Sequence, residues 1–379
     1  MPLTTPTLLH AIDTTGPGGA ETVFLQLAEH LRLPGLNNLA IIKGPGWVED
    51  QLKARGLDYL IVKPSGFLSI PYYAKLVSII HQRKVKLIQA NLLGSALTYA
   101  IVSLVTRTPL VATLHGRVDI NPQERFVAIK NLIMRMGINQ LVAVSQDLAN
   151  YIQARKLFNR SKISVIYNGI ATEAYGKSTQ QTLRASLSLK TDDLLIGSVG
   201  NVRPAKDYAN LVNAAQQVVA KFPNAHFVIA GHQKPDLTAQ LDQQIASLQL
   251  SANVHFVGFQ NSAEFLSQVD FFALSSSTEG FSIATIEAMA TGLPVVATAC
   301  GGPQEILEDN TTGRLVPIAN PAALAQALIE FIENPSLASS LATAGTAHAK
   351  DSFSADIMLQ RYGHLYKQLA QTGSATAHS

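Results

Sequence analysis

The clearest indication of the fold class is residues 271–307, FFALSSSTEGFSIATIEAMATGLPVVATACGGPQEIL. It begins with a short apolar strand, continues through a polar turn and a helical segment at 283–290, and reaches a second strand at 295–298. Both strands are continuous apolar runs without alternation, which is typical of parallel strands covered on both faces. Strand, helix and strand in this order predict a parallel α/β unit.

The same alternation extends outward and forms two series of six predicted strands. They are 7–12, 40–43, 87–89, 110–113, 140–144 and 164–166, then 194–199, 226–230, 254–257, 271–273, 295–298 and 313–316. Amphipathic helices are predicted between them, among others at 21–32, 71–83, 208–222 and 321–332. The polar stretch 172–193 indicates a connector. Two such series predict two Rossmann-like, doubly wound domains that face each other across a cleft, with ligands at the carboxyl ends of the strands.

Composition excludes several classes of protein. The chain has 379 residues, which suits two or three domains of about 150 residues each. Hydrophobic residues make up 47% and charged residues 15%, which excludes a disordered or coiled-coil chain. A single cysteine, Cys300, excludes a disulfide scaffold and a multi-cysteine metal site. No apolar run reaches the roughly 20 residues of a membrane span, and no signal peptide is recognisable, so a cytoplasmic protein is expected.

The charge is unevenly distributed along the chain. Residues 1–170 contain 18 Lys and Arg against 9 Asp and Glu, whereas residues 171–379 contain 11 against 17. A basic first half suggests an anionic partner there, and chance surface composition is the alternative. The segment QERFVAIKNLIMRMG, residues 123–137, fits either an anionic membrane surface or an ordinary core-facing helix. It mixes the cations Arg125, Lys130 and Arg135 with the apolar residues Phe126, Ile129, Ile133 and Met136.

Two predicted strand ends in the first half carry polar motifs. DTTGPGGAE, residues 13–21, places Gly18 and Gly19 before a helix, where exposed N–H groups favour an anion. A tight strand-to-helix turn is the alternative interpretation. ATLHGRVD, residues 112–119, places His115 at the end of a strand. A histidine there can bind a sugar hydroxyl, transfer a proton or serve only in packing.

The second half begins with SVGNVRPAKDY, residues 198–208, which places Arg203 and Lys206 at the entry to a helix. An arginine fork and a lysine point charge beside a helix N-terminus form a site for two phosphates, and two solvated cations are the alternative.

Glu279 and Glu287 lie eight residues apart in the segment 271–307. Glu279 is predicted in a polar turn, and Gly280, Phe281 and Ser282 start a helix whose amides can bind a ligand. Glu287 is predicted inside that apolar helix, where a buried carboxylate requires a partner. A carboxylate so placed can accept hydrogen bonds from both ribose hydroxyls of a nucleotide.

These motifs, in this order, resemble the retaining glycosyltransferases of family 4, which have the GT-B architecture. The resemblance spans about residues 12–369 and includes GLPVVATACGGPQEIL, VSQDL and YNGI. One departure is that Gly200 is followed by Asn201 and Val202, where many members have Gly-Arg-Leu. The cation of this chain is Arg203, two positions later.

The resemblance implies a nucleotide-sugar donor, a sugar of UDP or GDP, held mostly by residues 173–352. Arg203 and Lys206 would hold the diphosphate, and Glu287 the ribose. Glu279, with Gly280, Phe281 and Ser282, would hold the donor sugar, and the loop after Val257 would line the base. His115 would lie beside the transferred sugar, and Gly18 and Gly19 would approach the phosphates on domain closure. Residues 1–172, joined by a returning helix at about 353–371, would bind the acceptor.

The implied reaction is metal-independent and needs no cofactor. It would transfer a sugar to a glycan or lipid-linked acceptor, as in bacterial surface polysaccharide or lipopolysaccharide synthesis, in the cytoplasm or at the inner face of the membrane. Three alternatives remain open: a nucleotide-sugar 2-epimerase of the same architecture, a non-catalytic nucleotide-sugar-binding subunit, and a nucleic-acid protein. The last is disfavoured because the sequence shows no recognition module.

Overall fold

The computed structural model describes residues 5–66, 69–117, 126–178 and 182–375, with side chains to residue 369. The chain divides into two units. Unit 1 comprises Met1–Gly169 and Ala355–Ser379, and unit 2 comprises Ile170–Ser354. The sequence predicts these boundaries at 172 and 353.

Unit 1 is built on a parallel sheet of seven strands. They are β1 (Thr7–Ile12), β2 (Asn37–Ile42), β3 (Tyr59–Ile61), β4 (Val85–Asn91), β5 (Leu110–Leu114), β6 (Gln140–Ala143) and β7 (Ile163–Val165). Their order across the sheet is β3-β2-β1-β4-β5-β6-β7. The prediction of six strands in this half is wrong, because it omits the edge strand β3. That strand is three residues long and half-buried. Residues 59–62, YLIV, are nevertheless a short apolar run, and β7 has the same length and burial, so composition does not explain why β3 is missing from the prediction.

Six α-helices accompany this sheet within the described part of the first 169 residues. They are α1 (Gly19–His30), α2 (Trp47–Ala54), α3 (Ile70–Gln82), α4 (Leu93–Thr106), α5 (Val127–Gly137) and α6 (Gln146–Ala154). Local chemistry sets some of the ends. The Ser145 hydroxyl accepts a hydrogen bond from the Leu148 amide and caps α6, and Arg107 adopts a left-handed conformation that ends α4.

Unit 2 is built on a parallel sheet of six strands, so the second predicted series is confirmed. The strands are β8 (Leu194–Val199), β9 (Ala225–Ala230), β10 (Val254–Phe256), β11 (Phe271–Leu274), β12 (Val295–Thr298) and β13 (Arg314–Val316), in the order β10-β9-β8-β11-β12-β13. Its helices are α7 (Thr182–Ser186), α8 (Tyr208–Lys221), α9 (Pro235–Ser247), α10 (Ser262–Leu266), α11 (Ile283–Thr291), α12 (Pro303–Ile306), α13 (Pro321–Glu333) and α14 (Pro335–Phe353).

Each sheet has one point where the strand order reverses. In unit 1 it lies between β1 and β4, and in unit 2 between β8 and β11. Loops at the carboxyl ends of the strands that flank such a point diverge and leave room for a ligand. The polar motifs at 13–21, 198–208 and 275–282 follow β1, β8 and β11 respectively, which puts each of them at a reversal point.

The last helix, α15 (Ala355–Ala375), belongs to unit 1. The helix predicted at about 353–371 begins at Ala355, because Phe353 ends α14 and Ser354 is extended and bridges to Ile170. A buried polar network holds α15 to the sheet. The Tyr366 hydroxyl donates to Gln89 Oε1 (2.6 Å), and Gln89 Nε2 donates to Thr113 Oγ1 (2.8 Å), which lies 3.0 Å from the Tyr362 hydroxyl.

Helix α5 carries an exposed apolar face. Residues 123–125 of the predicted segment lie outside the described residues, but Phe126, Ile129, Leu132 and Met136 are 71%, 56%, 55% and 62% exposed. The core-facing interpretation is therefore wrong for Phe126, Ile129 and Met136. None of the helices in the described part of the chain is long and apolar enough to cross a bilayer.

Candidate active site

Lys206 lies in a 3₁₀ turn, Pro204–Lys206, between β8 and α8. Its Nζ lies 2.8 Å from Oε1 of Glu279, and the two side chains are only 11% and 15% exposed. Gly200 is needed for this arrangement, since a Cβ there would lie 2.4 Å from Cε of Lys206. The structure therefore joins two predicted site residues in a largely buried ion pair.

The loop that carries Glu279 is fixed from several sides. The Ser276 hydroxyl donates to the same Oε1 (2.7 Å), and the Thr298 hydroxyl donates to the Ser276 carbonyl (2.6 Å). The backbone of Glu279 also pairs with the loop after β12, where it accepts from the Gly302 amide and donates to the Cys300 carbonyl. Within the described residues no hydrogen bond reaches Oε2 of Glu279, so this oxygen can accept one from a ligand.

Gly280, Phe281 and Ser282 lead into α11, as predicted. Ser282 is the N-cap residue, but no side chain caps the helix, so amides of the first turn remain as donors for an anion. The Phe281 ring is buried and packs edge-to-face on Phe353 with the ring centroids 5.6 Å apart. Gly302 allows close packing here, because a Cβ would lie 2.6 Å from Cα of Phe281.

Glu287 is buried in α11, and its partner is Tyr175, whose hydroxyl donates to Oε1 at 2.8 Å. Burial raises the pKa of Glu287, and the interactions with Tyr175, Ser262 and Lys206 oppose that rise. The sequence predicts that this carboxylate needs a partner but does not identify Tyr175. The two residues are 112 positions apart, and Tyr175 lies in the predicted connector.

Arg203 differs from Lys206, with which the sequence groups it. Its side chain is exposed, and among the described residues it makes no hydrogen bond or ion pair. Arg203 is therefore an exposed cation on the surface, whereas Lys206 is held inside the site by its ion pair.

The loops after β9 and β10 bring two exposed rings together. His232 and Phe259 stack with centroids 5.1 Å apart and an interplanar angle of 11°. Phe259 lies in the loop after Val257 that the family resemblance assigns to the nucleotide base. A flat pair of rings offers a surface for a planar group.

In unit 1, helix α1 begins at Gly19, and Gly18 is its N-cap without a side-chain hydrogen bond. A Cβ at Gly18 would lie 2.5 Å from Oε2 of Glu21, so a larger residue here would displace the buried Glu21 carboxylate. The turn combines the predicted N-terminal donors with an acidic side chain in the first turn of α1.

His115 follows β5, and its Nε2 lies 3.1 Å from Oδ1 of Asn91 at the end of β4. Burial lowers the pKa of His115 to about 3. The imidazole is therefore neutral at pH 7, and it is suited to hydrogen bonding and not to donating a proton as an acid. This limits the predicted catalytic role.

Four buried polar atoms, at or after the ends of β1 and β4 and on α4, have no hydrogen-bond partner among the described residues. They are Asp13 Oδ1, Thr14 Oγ1, Asn91 Nδ2 and the Tyr99 hydroxyl. Burial also raises the pKa of Asp13. Buried polar groups are normally paired, so such a group of donors and acceptors indicates a place for a polar ligand. Sequence patterns do not identify it, because the residues come from separate elements.

No group of three or more His, Cys, Asp and Glu side chains in the described residues could hold a metal ion.

Two family models match consecutive parts of the chain. Glycosyltransferase Family 4 matches residues 17–174, and Glycosyl transferases group 1 matches residues 179–348. The chain is 28% identical to N-acetyl-alpha-D-glucosaminyl L-malate synthase of Bacillus anthracis over 265 residues, 69% of this chain and 68% of that protein. It is 28% identical to D-inositol 3-phosphate glycosyltransferase of Mycobacterium avium over 221 residues, 56% of this chain and 50% of that protein.

The solved structure of Anabaena Alr3699/HepE in complex with UDP-glucose has a TM-score of 0.84 and 26% identity, and covers 96% of this chain and 100% of that one. The two parallel Rossmann-like sheets and these similarities define a glycosyltransferase of the GT-B fold class. The chain belongs to the group 1 glycosyl transferases, in glycosyltransferase family 4.

Proposed function

We propose that this protein transfers a sugar from a UDP- or GDP-sugar to a hydroxyl group of a glycan or lipid-linked acceptor, with retention of anomeric configuration and without a metal ion. The observation that carries the proposal is the Lys206–Glu279 ion pair beside the uncapped N-terminus of α11, at the reversal point of the unit 2 sheet. The UDP-glucose bound to the Anabaena protein supports a nucleotide-sugar donor.

The chemistry needs stabilisation of a leaving diphosphate. As the anomeric C–O bond breaks, its electron pair leaves with the diphosphate. Lys206, the amides of α11 and the exposed Arg203 supply positive charge and donors to it. The acceptor oxygen forms the new bond on the same face of the sugar, and its proton passes to the departing phosphate oxygen. These donors meet the developing charge without a metal, which is why we include metal independence in the proposal.

The two glutamates serve binding in this scheme. Oε1 of Glu279 already accepts from Lys206 and Ser276, which makes this carboxylate a poor nucleophile, while Oε2 can accept a hydroxyl of the donor sugar. Glu287 would accept the ribose hydroxyls, and the His232–Phe259 pair would support the base. Neutral His115 would bond a hydroxyl of the transferred sugar.

The test is release of nucleoside diphosphate from a panel of UDP- and GDP-sugars, with and without acceptors, in buffer and in EDTA. Acceptor-dependent release that survives EDTA, and a product whose anomeric proton coupling matches that of the donor, supports the proposal. Release or isomerisation without acceptor would favour a 2-epimerase. Binding without turnover of any donor would favour a non-catalytic subunit.

The acceptor proposal rests on unit 1. Its unpartnered atoms at Asp13, Thr14, Asn91 and Tyr99 include both donors and acceptors, as the hydroxyl groups of a sugar or polyol require. Surface polysaccharide or lipopolysaccharide synthesis is a setting that supplies such acceptors, and we include it in the proposal.

The face of α5 supports a peripheral position on the membrane. Its four exposed apolar side chains recur every three or four residues and so lie on one side of the helix. Gly137 at its end packs on Ala100 of α4, one turn before the exposed Leu104 and Val105. Neither 93–117 nor 126–146 contains an acidic residue, and both contain cations. An apolar face with basic flanks fits an anionic leaflet.

Co-sedimentation with phosphatidylglycerol vesicles at low salt tests this surface. We expect wild type to bind and Phe126→Ser with Ile129→Ser to lose most binding, because the apolar contacts are gone. Ile318→Ser, which alters a 48% exposed residue of unit 2, is the matched control and should bind normally. Failure of wild type to bind, with a concentration-dependent dimer in solution, would show that a second copy covers this face instead.

A further inference from the structure

Tyr175 lies in a part of the chain that neither family model covers. The models match residues 17–174 and 179–348, so four residues, 175–178, fall between them. Tyr175 follows the 3₁₀ turn Thr172–Ala174, and its phenol reaches the buried carboxylate of Glu287 at 2.8 Å. A segment that the sequence predicts to be a connector thus contributes directly to the candidate donor site.

The contact fixes one half of the Glu287 carboxylate. A hydroxyl that donates to a buried carboxylate forms a charge-assisted hydrogen bond and holds the side chain in one rotamer. Tyr175 donates to Oε1, and the Ser262 hydroxyl from α10 also acts on the carboxylate. The carboxylate is therefore held in place and retains lone pairs that can accept from a pair of vicinal hydroxyl groups of a ligand.

We propose that Tyr175 is a positioning residue for nucleotide recognition, holding Glu287 ionised and oriented so that it selects a ribose over a 2′-deoxyribose. The inference rests on the proposed function, because it takes Glu287 as the group that binds the ribose. It assigns a role in specificity to a residue that touches the carboxylate and not the substrate.

The electrostatics of the carboxylate agree with this role. The groups that act on Glu287 are the Tyr175 phenol, the Ser262 hydroxyl from α10 and the Lys206 ammonium from the loop after β8, and all three lower the pKa that burial raises. Removing the phenol leaves burial less opposed, so the pKa of Glu287 rises further. The protonated acid is a weaker acceptor for a hydroxyl than the carboxylate, so nucleotide affinity should then fall at a higher pH than in wild type.

The variant Tyr175→Phe removes one oxygen atom and little else. Its matched control is Tyr59→Phe, because the Tyr59 hydroxyl also donates to a glutamate, Glu49 Oε1 at 3.0 Å, but in unit 1. Calorimetric titrations with UDP and GDP and with their 2′-deoxy forms, from pH 5.5 to 8.5, give affinity, ribose selectivity and pH dependence together. Thermal melting of each variant reports whether the fold is retained.

We expect wild type to prefer the ribonucleotide over its 2′-deoxy form by about tenfold, as a lost hydrogen bond to a charged group predicts. In Tyr175→Phe this ratio should approach one at pH 7, and the pH at which affinity halves should rise, whereas Tyr59→Phe should retain both wild-type values. A variant that melts lower but keeps the selectivity and the pH profile would overturn the inference and leave only a structural contact. Wild type that binds neither nucleotide would overturn the proposed function itself.

Discussion

The polar groups at the two reversal points are organised in opposite ways. In unit 2 the charged groups are already paired, Lys206 with Glu279 and Glu287 with Tyr175. In unit 1, Asp13, Thr14, Asn91 and Tyr99 each have a buried polar atom without a partner among the described residues. A prepaired site holds its charges in position and needs no reorganisation when an anion develops. An unpaired site remains unsatisfied until a ligand arrives. The contrast suits a donor whose chemistry is fixed and an acceptor that supplies the missing hydrogen bonds.

The substitution with the greatest expected effect removes the ion pair between Lys206 and Glu279 in unit 2. Lys206→Ala should lower kcat by about 100-fold or more, the usual cost of removing a donor to a developing anion. Arg203→Ala should cost about tenfold, because its exposed cation is screened by solvent. Acceptor-dependent nucleoside diphosphate release measures both. Lys177→Ala, which removes another partly buried lysine of unit 2, is the control. Equal turnover of Lys206→Ala and wild type would exclude the assignment.

The second prediction is that unit 1 loses stability at low pH because of His10. His10 is fully buried in β1, and burial lowers its pKa to about 3. Below pH 6.5 the histidine is protonated in the unfolded chain but stays neutral in the native protein. The free energy of unfolding is therefore highest above pH 6.5 and decreases as the pH falls. The free energy of unfolding should decrease by about 1.4 kcal/mol per pH unit for this residue, or about 2 kcal/mol at pH 5.

Urea unfolding of wild type and His10→Leu at pH 7.5 and pH 5 measures this effect. The variant should lose less stability between the two pH values than wild type. His364→Gln, at an exposed position of α15, should behave as wild type. An unchanged difference between the two pH values in His10→Leu would contradict the prediction.

A smaller effect tests the unpaired side of the comparison. Asp13→Asn should raise the KM for the acceptor by about tenfold, because the amide is a weaker acceptor than the carboxylate. The affinity for UDP or GDP should not change. Initial rates against acceptor concentration and calorimetry with nucleotide separate the two. Asp58→Asn, at an exposed site of unit 1, is the control. A change in nucleotide affinity with an unchanged acceptor KM would reverse the assignment of the two units.

The last prediction concerns the hydrogen-bond network of unit 1 that joins α15 to the sheet through Gln89. Tyr366→Phe leaves Gln89 Oε1 without its donor, and should lower the free energy of unfolding by about 1 kcal/mol. Chemical denaturation measures it, and Tyr151→Phe on α6 is the control. A neutral Tyr366→Phe would mean that the network contributes no net stability and that α15 is held by apolar packing.

Much of the fold follows from local pattern. Continuous apolar runs identify all six strands of unit 2 and six of seven in unit 1, because a strand covered on both faces has little choice of composition. Strand β3 was missed although residues 59–62 form a short apolar run, so the pattern is not sufficient for three-residue strands at the edge of a sheet. The break at Ser354 was missed because it depends on a bridge to Ile170, which is 184 positions earlier.

The candidate site was predictable in its residues and less so in its contacts. Lys206, Glu279 and Glu287 stand out because charged side chains follow or interrupt apolar runs. The ion pair between Lys206 and Glu279 cannot be predicted in this way, because it joins two loops that are 73 residues apart. Tyr175 gave no local signal at all.

Composition and spacing along the chain set the two alternating series, the strand-end motifs and the need of the buried Glu287 for a partner. Which side chains meet depends on the folded arrangement. It paired Lys206 with Glu279, gave Tyr175 to Glu287, left Arg203 in solvent and placed the apolar face of α5 outward. Pairing and burial depend on distances between elements that are far apart in the chain, and no local pattern encodes those distances.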